Sequence, residues 1–169
     1  MRVWVLAVCF ALSAQQGYAL DQQDLVGTWN LVSAKNKILD TGEVVDAYGG
    51  PNPKGWTNYG SDGRMMVACA YDQRRTPENK DLFSDQDRIL LQKTFFAYAG
   101  TYTFDGSRVT HNIDTSSDQI WTGLHQVRNV EEKNGKLIYT NQPQINTNTG
   151  QKIIVTSVWE RYPPVPDRR

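Results

Sequence analysis

The stretch Ala99–Asp114, AGTYTFDGSRVTHNID, decides the fold. Tyr102 and Phe104 alternate with Thr101 and Thr103. After Asp105-Gly106, Val109, His111 and Ile113 alternate with Thr110, Asn112 and Asp114. Period-two alternation on both sides of an Asp-Gly pair predicts an antiparallel hairpin, because the pair supplies the positive φ that a tight turn needs. Val109, His111 and Ile113 share one face of its second strand. Tyr98, Gly100, Tyr102 and Phe104 form a row on its first.

The same grammar repeats outward in both directions. Leu25 to Lys35 (LVGTWNLVSAK) reads as a first strand. Asp46 to Gly55 (DAYGGPNPKG) is a loop, rich in residues that break regular structure. Trp56–Tyr59 and Arg64–Tyr71 form a hairpin about Gly60-Ser61-Asp62-Gly63, and Trp121–Val130 and Leu137–Asn141 another about Asn134-Gly135. Gln151–Tyr162 closes the series. One segment departs from it. Ser84–Tyr98 carries Ile89, Leu90, Lys93 and Phe96 at helical spacing, with Ser84 and Asp87 three apart as a capping box. The charged segment Asp72–Asp81 before it reads as a solvated loop. Eight to nine short strands with one helix indicate an all-β sandwich or an up-and-down barrel.

The N-terminus is of another kind. Met1-Arg2 precede an uncharged apolar run, Val3–Ala14, and Gly17-Tyr18-Ala19 offers a small-x-small cleavage site. This order predicts a cleavable signal peptide over residues 1–19, cut after Ala19, and a secreted or periplasmic destination. The run is too short for a stable membrane span. Residues 20–162 then form one domain and 163–169 a flexible tail. Cys9 leaves with the signal, so Cys69 remains alone, without an intramolecular disulfide, in the apolar strand RMMVACAY. A buried structural thiol is the expectation there. The chain holds 18 basic and 18 acidic side chains, a balance that leaves no electrostatic footprint for nucleic acid.

Gly27-Thr28-Trp29 resembles the Gly-x-Trp signature of lipocalin and calycin barrels. The ordered blocks LVGTWNLVS, YGSDGRMMV, FFAYAGTYTFDGSRVTHNI, IWTGLHQVRNV and VWERY together resemble the bacterial and fungal lipocalin-like domain family across Asp24–Tyr162. The resemblance implies an eight- to nine-stranded antiparallel β-barrel with one short helix. It also implies that Arg161 packs across Trp29 at a closed end, so that neither belongs to a binding site. His111 matches the family's Val-x-His position and Trp121 its Trp-x-Gly position.

A barrel of eight strands can enclose side chains or one small ligand. The candidate ligand-binding residues are Tyr59, Tyr98, Tyr102, His111, Trp121, His125, Gln126 and Arg128, with Met66 and Ala68 as further contributors from the early hairpin. In the Trp121–Val130 strand, Trp121, Gly123, His125 and Val127 share one face and Thr122, Leu124, Gln126 and Arg128 the other. Periodicity does not say which is inward. Arg128 is expected to pair with a carboxylate. His111 and Tyr102 are the candidates for acid–base chemistry. No phosphate loop, nucleophile elbow or His-Glu-x-x-His is present, and two histidines with one cysteine do not make a metal site, so neither cofactor nor metal is expected. The leading expectation is an exported barrel that binds a small, largely hydrophobic molecule. The alternative is a small-metabolite isomerase, cyclase or lyase, implied by relatives of the fold. A third is an accessory partner in an envelope or secretion complex that uses the Asp46–Gly55 loop.

Overall fold

The computed structural model describes residues 20–79 and 81–163. The expected signal peptide, residues 1–19, and most of the expected tail, residues 164–169, lie outside the described residues. The strands are β1 (Gly27–Ile38), β2 (Val44–Asp46), β3 (Lys54–Tyr59), β4 (Arg64–Ala70), β5 (Phe95–Phe104), β6 (Arg108–Ser116), β7 (His125–Lys133), β8 (Lys136–Asn141), β9 (Gln144–Ile145) and β10 (Lys152–Arg161). Helix α1 (Gln22–Leu25) precedes β1, α2 (Asp85–Lys93) stands between β4 and β5, and a single 3₁₀ turn (Gln119–Trp121) joins β6 to β7. Eight strands pair antiparallel in the order β1-β3-β4-β5-β6-β7-β8-β10, and β10 returns to β1 over Trp29–Ile38. The barrel is closed, which removes the exposed sheet edges an open sheet would carry. The barrel expected from the sequence is thus the one observed. The two additional strands are short. β2 adds to β1 and β9 to β10, both at the end of the barrel where Ile38 faces Ile153.

The three hairpins read from the sequence form as expected. The first strand, however, runs Gly27–Ile38, not Leu25–Lys35, because Leu25 closes α1. Two further boundaries move by four residues or more. The helix begins where the capping box places it: Ser84 Oγ accepts from the Asp87 N–H, and Asp87 accepts from the Ser84 N–H. It ends at Lys93, however, not at Tyr98, and Phe95 starts a ten-residue strand paired with β4. Aromatic and alanine residues suit either conformation, and the waiting edge of β4 decides between them. The expected strand from Trp121 likewise begins only at His125. Asp118 caps the 3₁₀ turn by accepting from the Ile120 N–H, and Gly123 adopts a φ of 84°, open to glycine but costly for other residues. Its N–H donates to Ile113 O, folding the segment back against β6.

Alternate residues turn inward along each strand and form a main core, with a smaller cluster of Ile38, Ile153 and Val155 apart from it. On β4 these are Met65, Val67 and Cys69. Met66 is 54% exposed and shares the outer face with Ala68, which corrects the expectation that the two line the interior. Burial pushes the Cys69 thiol up to about 12, so it stays protonated and packs as a small hydrophobe.

The closed end is built around Trp29. Its indole Nε1–H donates to Leu25 O at 2.8 Å, and the Arg161 guanidinium lies 4.3 Å above its ring. Arg161 also donates to the carbonyls of Val26 and Asp24, each at 2.6 Å, and so ties α1 across the barrel base. Gly27 makes this approach possible. A Cβ there would sit 2.6 Å from Arg161 Nη1, and its φ of 126° suits only glycine. The Arg161–Trp29 packing implied by the resemblance is present.

Candidate functional site

At the opposite end the barrel opens into a cavity of about 340 Å³. Its wall is an aromatic chain in which Tyr48 meets Phe96 at 5.2 Å, Phe96 meets Trp121 at 5.6 Å, and Trp121 meets Tyr98 at 5.8 Å between ring centroids. Ile38, Val45, Ile153 and Val155 supply aliphatic surface opposite, and Gln126, Arg128 and Asn141 supply polar groups. Below Arg128 lies a chamber of about 30 Å³, lined among others by Thr57, His111, Tyr139 and Ser157. The Thr57 and Tyr139 hydroxyls are buried there without a hydrogen-bond partner. A chamber of that size and polarity suits about one water molecule, not an organic ligand.

His111 is the hub between the two compartments. It comes from β6, opposite Gln126 on β7 and Tyr102 on β5, and is 1% exposed. Its Nε2 lies 2.8 Å from the Tyr59 hydroxyl, and its Nδ1 lies 3.0 Å from both the Tyr98 hydroxyl and Arg128 Nη1. A guanidinium can only donate, so Nδ1 accepts and the ring proton sits on Nε2, donated to Tyr59. Arg128 Nη2 donates in turn to the Tyr98 hydroxyl at 2.9 Å and to Gln126 Oε1. Burial first, and the Arg128 charge second, hold His111 well below the ordinary imidazole range. Burial raises the phenols of Tyr59 and Tyr98, with the Arg128 charge acting against it. The network at neutral pH is therefore one cation held by neutral partners.

The sign of the pH dependence follows. An imidazole in the unfolded chain takes a proton near pH 6.5, whereas folded His111 resists it until far lower pH. Below about pH 6.5 the unfolded chain binds more protons, so stability is complete above that value and falls on acidification by up to about 1.4 kcal/mol per pH unit. Urea unfolding at about pH 7.5 and about pH 5.5 should show the earlier midpoint at the lower pH. Asp105 is held down to about 2 by backbone N–H groups of Ser107 and Arg108, and it acts only in a more acidic window.

The eight sequence candidates divide unevenly. Tyr98, Trp121, Gln126 and Arg128 line the open cavity. His111 lines only the small chamber beneath. Tyr59 and Tyr102 lie deeper, edge to face at 4.7 Å, and the Tyr102 hydroxyl donates to Gly60 O. His125 stands on the outer face, exposed, with Nδ1 2.7 Å from Asn112 Oδ1. Register against β6, where Gln126 faces His111 and Arg128 faces Val109, sets that parity, and Gln126, Arg128 and Val130 face in. Arg128 does not pair with a carboxylate: no ion pair among the described residues includes it. Tyr48, Phe96, Asn141 and Val155 are cavity residues that the sequence reading missed. Phe96 was obscured by its helical spacing, and Tyr48 lies in the glycine-rich loop.

A family model described as a lipocalin-like domain matches residues 26–162. The chain belongs to the lipocalin-like domain family. Among solved structures, it is similar to a lipocalin-like protein from Bacteroides uniformis, at 15% identity over 82% of this chain and 99% of that one, with a TM-score of 0.43. It is also similar to a mutant of the fluorescent protein UnaG, at 14% identity over 82% and 96% of the two chains, with a TM-score of 0.37. No curated protein sequence matches it.

Proposed function

We propose that this chain is an exported carrier or scavenger that holds one small, largely apolar molecule in the open end of its barrel. The carrying observation is the 340 Å³ cavity with its aromatic wall, in the lower part of the range of roughly 300–1,000 Å³ over which small-molecule sites fall. Polar residues make up half of its lining, and among them Gln126, Arg128 and Asn141 stand beside the His111 network, an arrangement that can orient a ligand by one end. Export rests on the three-part composition of residues 1–19. A catalytic role for His111 or Tyr102 finds less support. Both His111 nitrogens are engaged within the protein, and Tyr102 lines neither compartment.

The test uses N-phenyl-1-naphthylamine, a neutral fluorophore that brightens in apolar surroundings. The wild-type protein should bind it with a dissociation constant of about 1 μM, worth about 8 kcal/mol. Val155→Trp puts a large side chain into the cavity and should weaken binding at least tenfold, about 1.4 kcal/mol, without lowering the unfolding midpoint to the same degree. Equal binding by the two proteins would place the fluorophore elsewhere and remove the proposal.

A further inference from the structure

Among the described residues, Arg128 has no counter-ion, although it stands inside a barrel. Its guanidinium carries five N–H groups. Three are committed, to His111 Nδ1, the Tyr98 hydroxyl and Gln126 Oε1, all of them neutral acceptors. Two remain without a partner among the described residues. The side chain is half-buried, and a partly desolvated charge left uncompensated is costly. Among the described residues, the one carboxylate on the cavity wall is Asp46, at the rim, and Lys35 already holds it. Two more donors stand nearby. Gln126 turns its oxygen toward Arg128, which leaves its NH₂ group outside the hydrogen bonds of the described residues, as is the Asn141 amide. The Gln126 and Asn141 amides thus stand with the free guanidinium N–H groups on a lining that also holds the Phe96 and Trp121 rings and one unpartnered acceptor, Asn36 Oδ1. His111 and Tyr98 hold the guanidinium in place from beneath and beside, with the Tyr98 ring 5.9 Å from its centre.

From this juxtaposition we infer that the ligand is an amphiphile with one carboxylate head. The head meets Arg128, Gln126 and Asn141, and an aromatic or aliphatic body lies against Phe96, Trp121 and Val155. One guanidinium matches one negative charge. A phosphate dianion would leave a second charge without a cationic partner, since Arg128 is the one Lys or Arg on the lining among the described residues. The inference rests on the cavity-binding reading above and adds the chemical class of the ligand to it.

The experiment displaces N-phenyl-1-naphthylamine with 2-naphthoate and with 2-naphthamide, a neutral molecule of nearly the same shape. On the wild-type protein 2-naphthoate should compete at least about tenfold better, the scale of a charge-assisted hydrogen bond in a partly desolvated site. Arg128→Gln should abolish the preference, and Arg128→Lys should retain part of it. Should Arg128→Gln fail to fold, the wild-type comparison decides alone. If the fluorophore binds and 2-naphthamide competes as well as 2-naphthoate, the carboxylate inference is overturned and the apolar cavity stands. If neither the fluorophore nor either naphthalene binds, both readings fall together.

Discussion

Trp29→Ala is expected to lower the unfolding free energy by about 3–5 kcal/mol, as large aromatic truncations in packed cores do. Several losses coincide at this position. The ring is buried, and an indole removes some 150–250 Å² of surface from water, worth about 4–6 kcal/mol at 25 cal/mol per Å². Its Nε1–H is the bond that holds Leu25 O, and Leu25 is itself wholly buried. Its face is also the seat of Arg161, whose two further bonds anchor α1. The variant therefore leaves a cavity and releases the plug of the closed end together. A domain of this size commonly has only about 5–15 kcal/mol in all, so the expected result is a protein near the edge of folding. Chemical denaturation followed by far-UV circular dichroism measures it, which avoids dependence on the fluorescence of the removed indole. A loss under about 1 kcal/mol, the scale of an ordinary surface change, would mean that the closed end is held by other contacts.

The second large effect is expected at His111. His111→Leu keeps the volume approximately and removes both ring nitrogens. The Tyr59 hydroxyl loses its donor, and the Tyr98 hydroxyl and Arg128 Nη1 lose their shared acceptor. Each buried group left unpaired costs about 1–3 kcal/mol, and such costs add incompletely when the groups share a network. About 3 kcal/mol in total is the expected loss. A second signature separates the hub from mere packing. The variant cannot take up the proton that unfolded His111 binds below about pH 6.5, so the fall in stability between about pH 7.5 and about pH 5.5 should vanish. A stable His111→Leu protein that kept the acid dependence would refute the hub on both counts.

Much of the architecture was legible in the residues. Period-two alternation with Asp105-Gly106 and Asn134-Gly135 located hairpins that form as read, because turn geometry and strand pattern are both local. Gly27-Thr28-Trp29 and Arg161 pointed to a closed end, and the structure adds why glycine is required there: the guanidinium occupies the space of a Cβ. The site was legible only in part. Gln126 and Arg128 were named, but which face of β7 turns inward depended on its register against β6. A one-residue slip of β7 against β6 would turn Arg128 outward and His125 inward.

What the sequence determined by itself was the barrel, its turns and its closed base, since short-range alternation and turn chemistry need no knowledge of distant partners. What only the tertiary structure decided was the charge of the interior. Whether Arg128 meets a carboxylate depends on which strands lie beside β7 and how far each side chain reaches, a matter of register among β5, β6 and β7. Closure brought His111, Tyr98 and Gln126 to it, all neutral, and brought no carboxylate of the described residues into an ion pair with it.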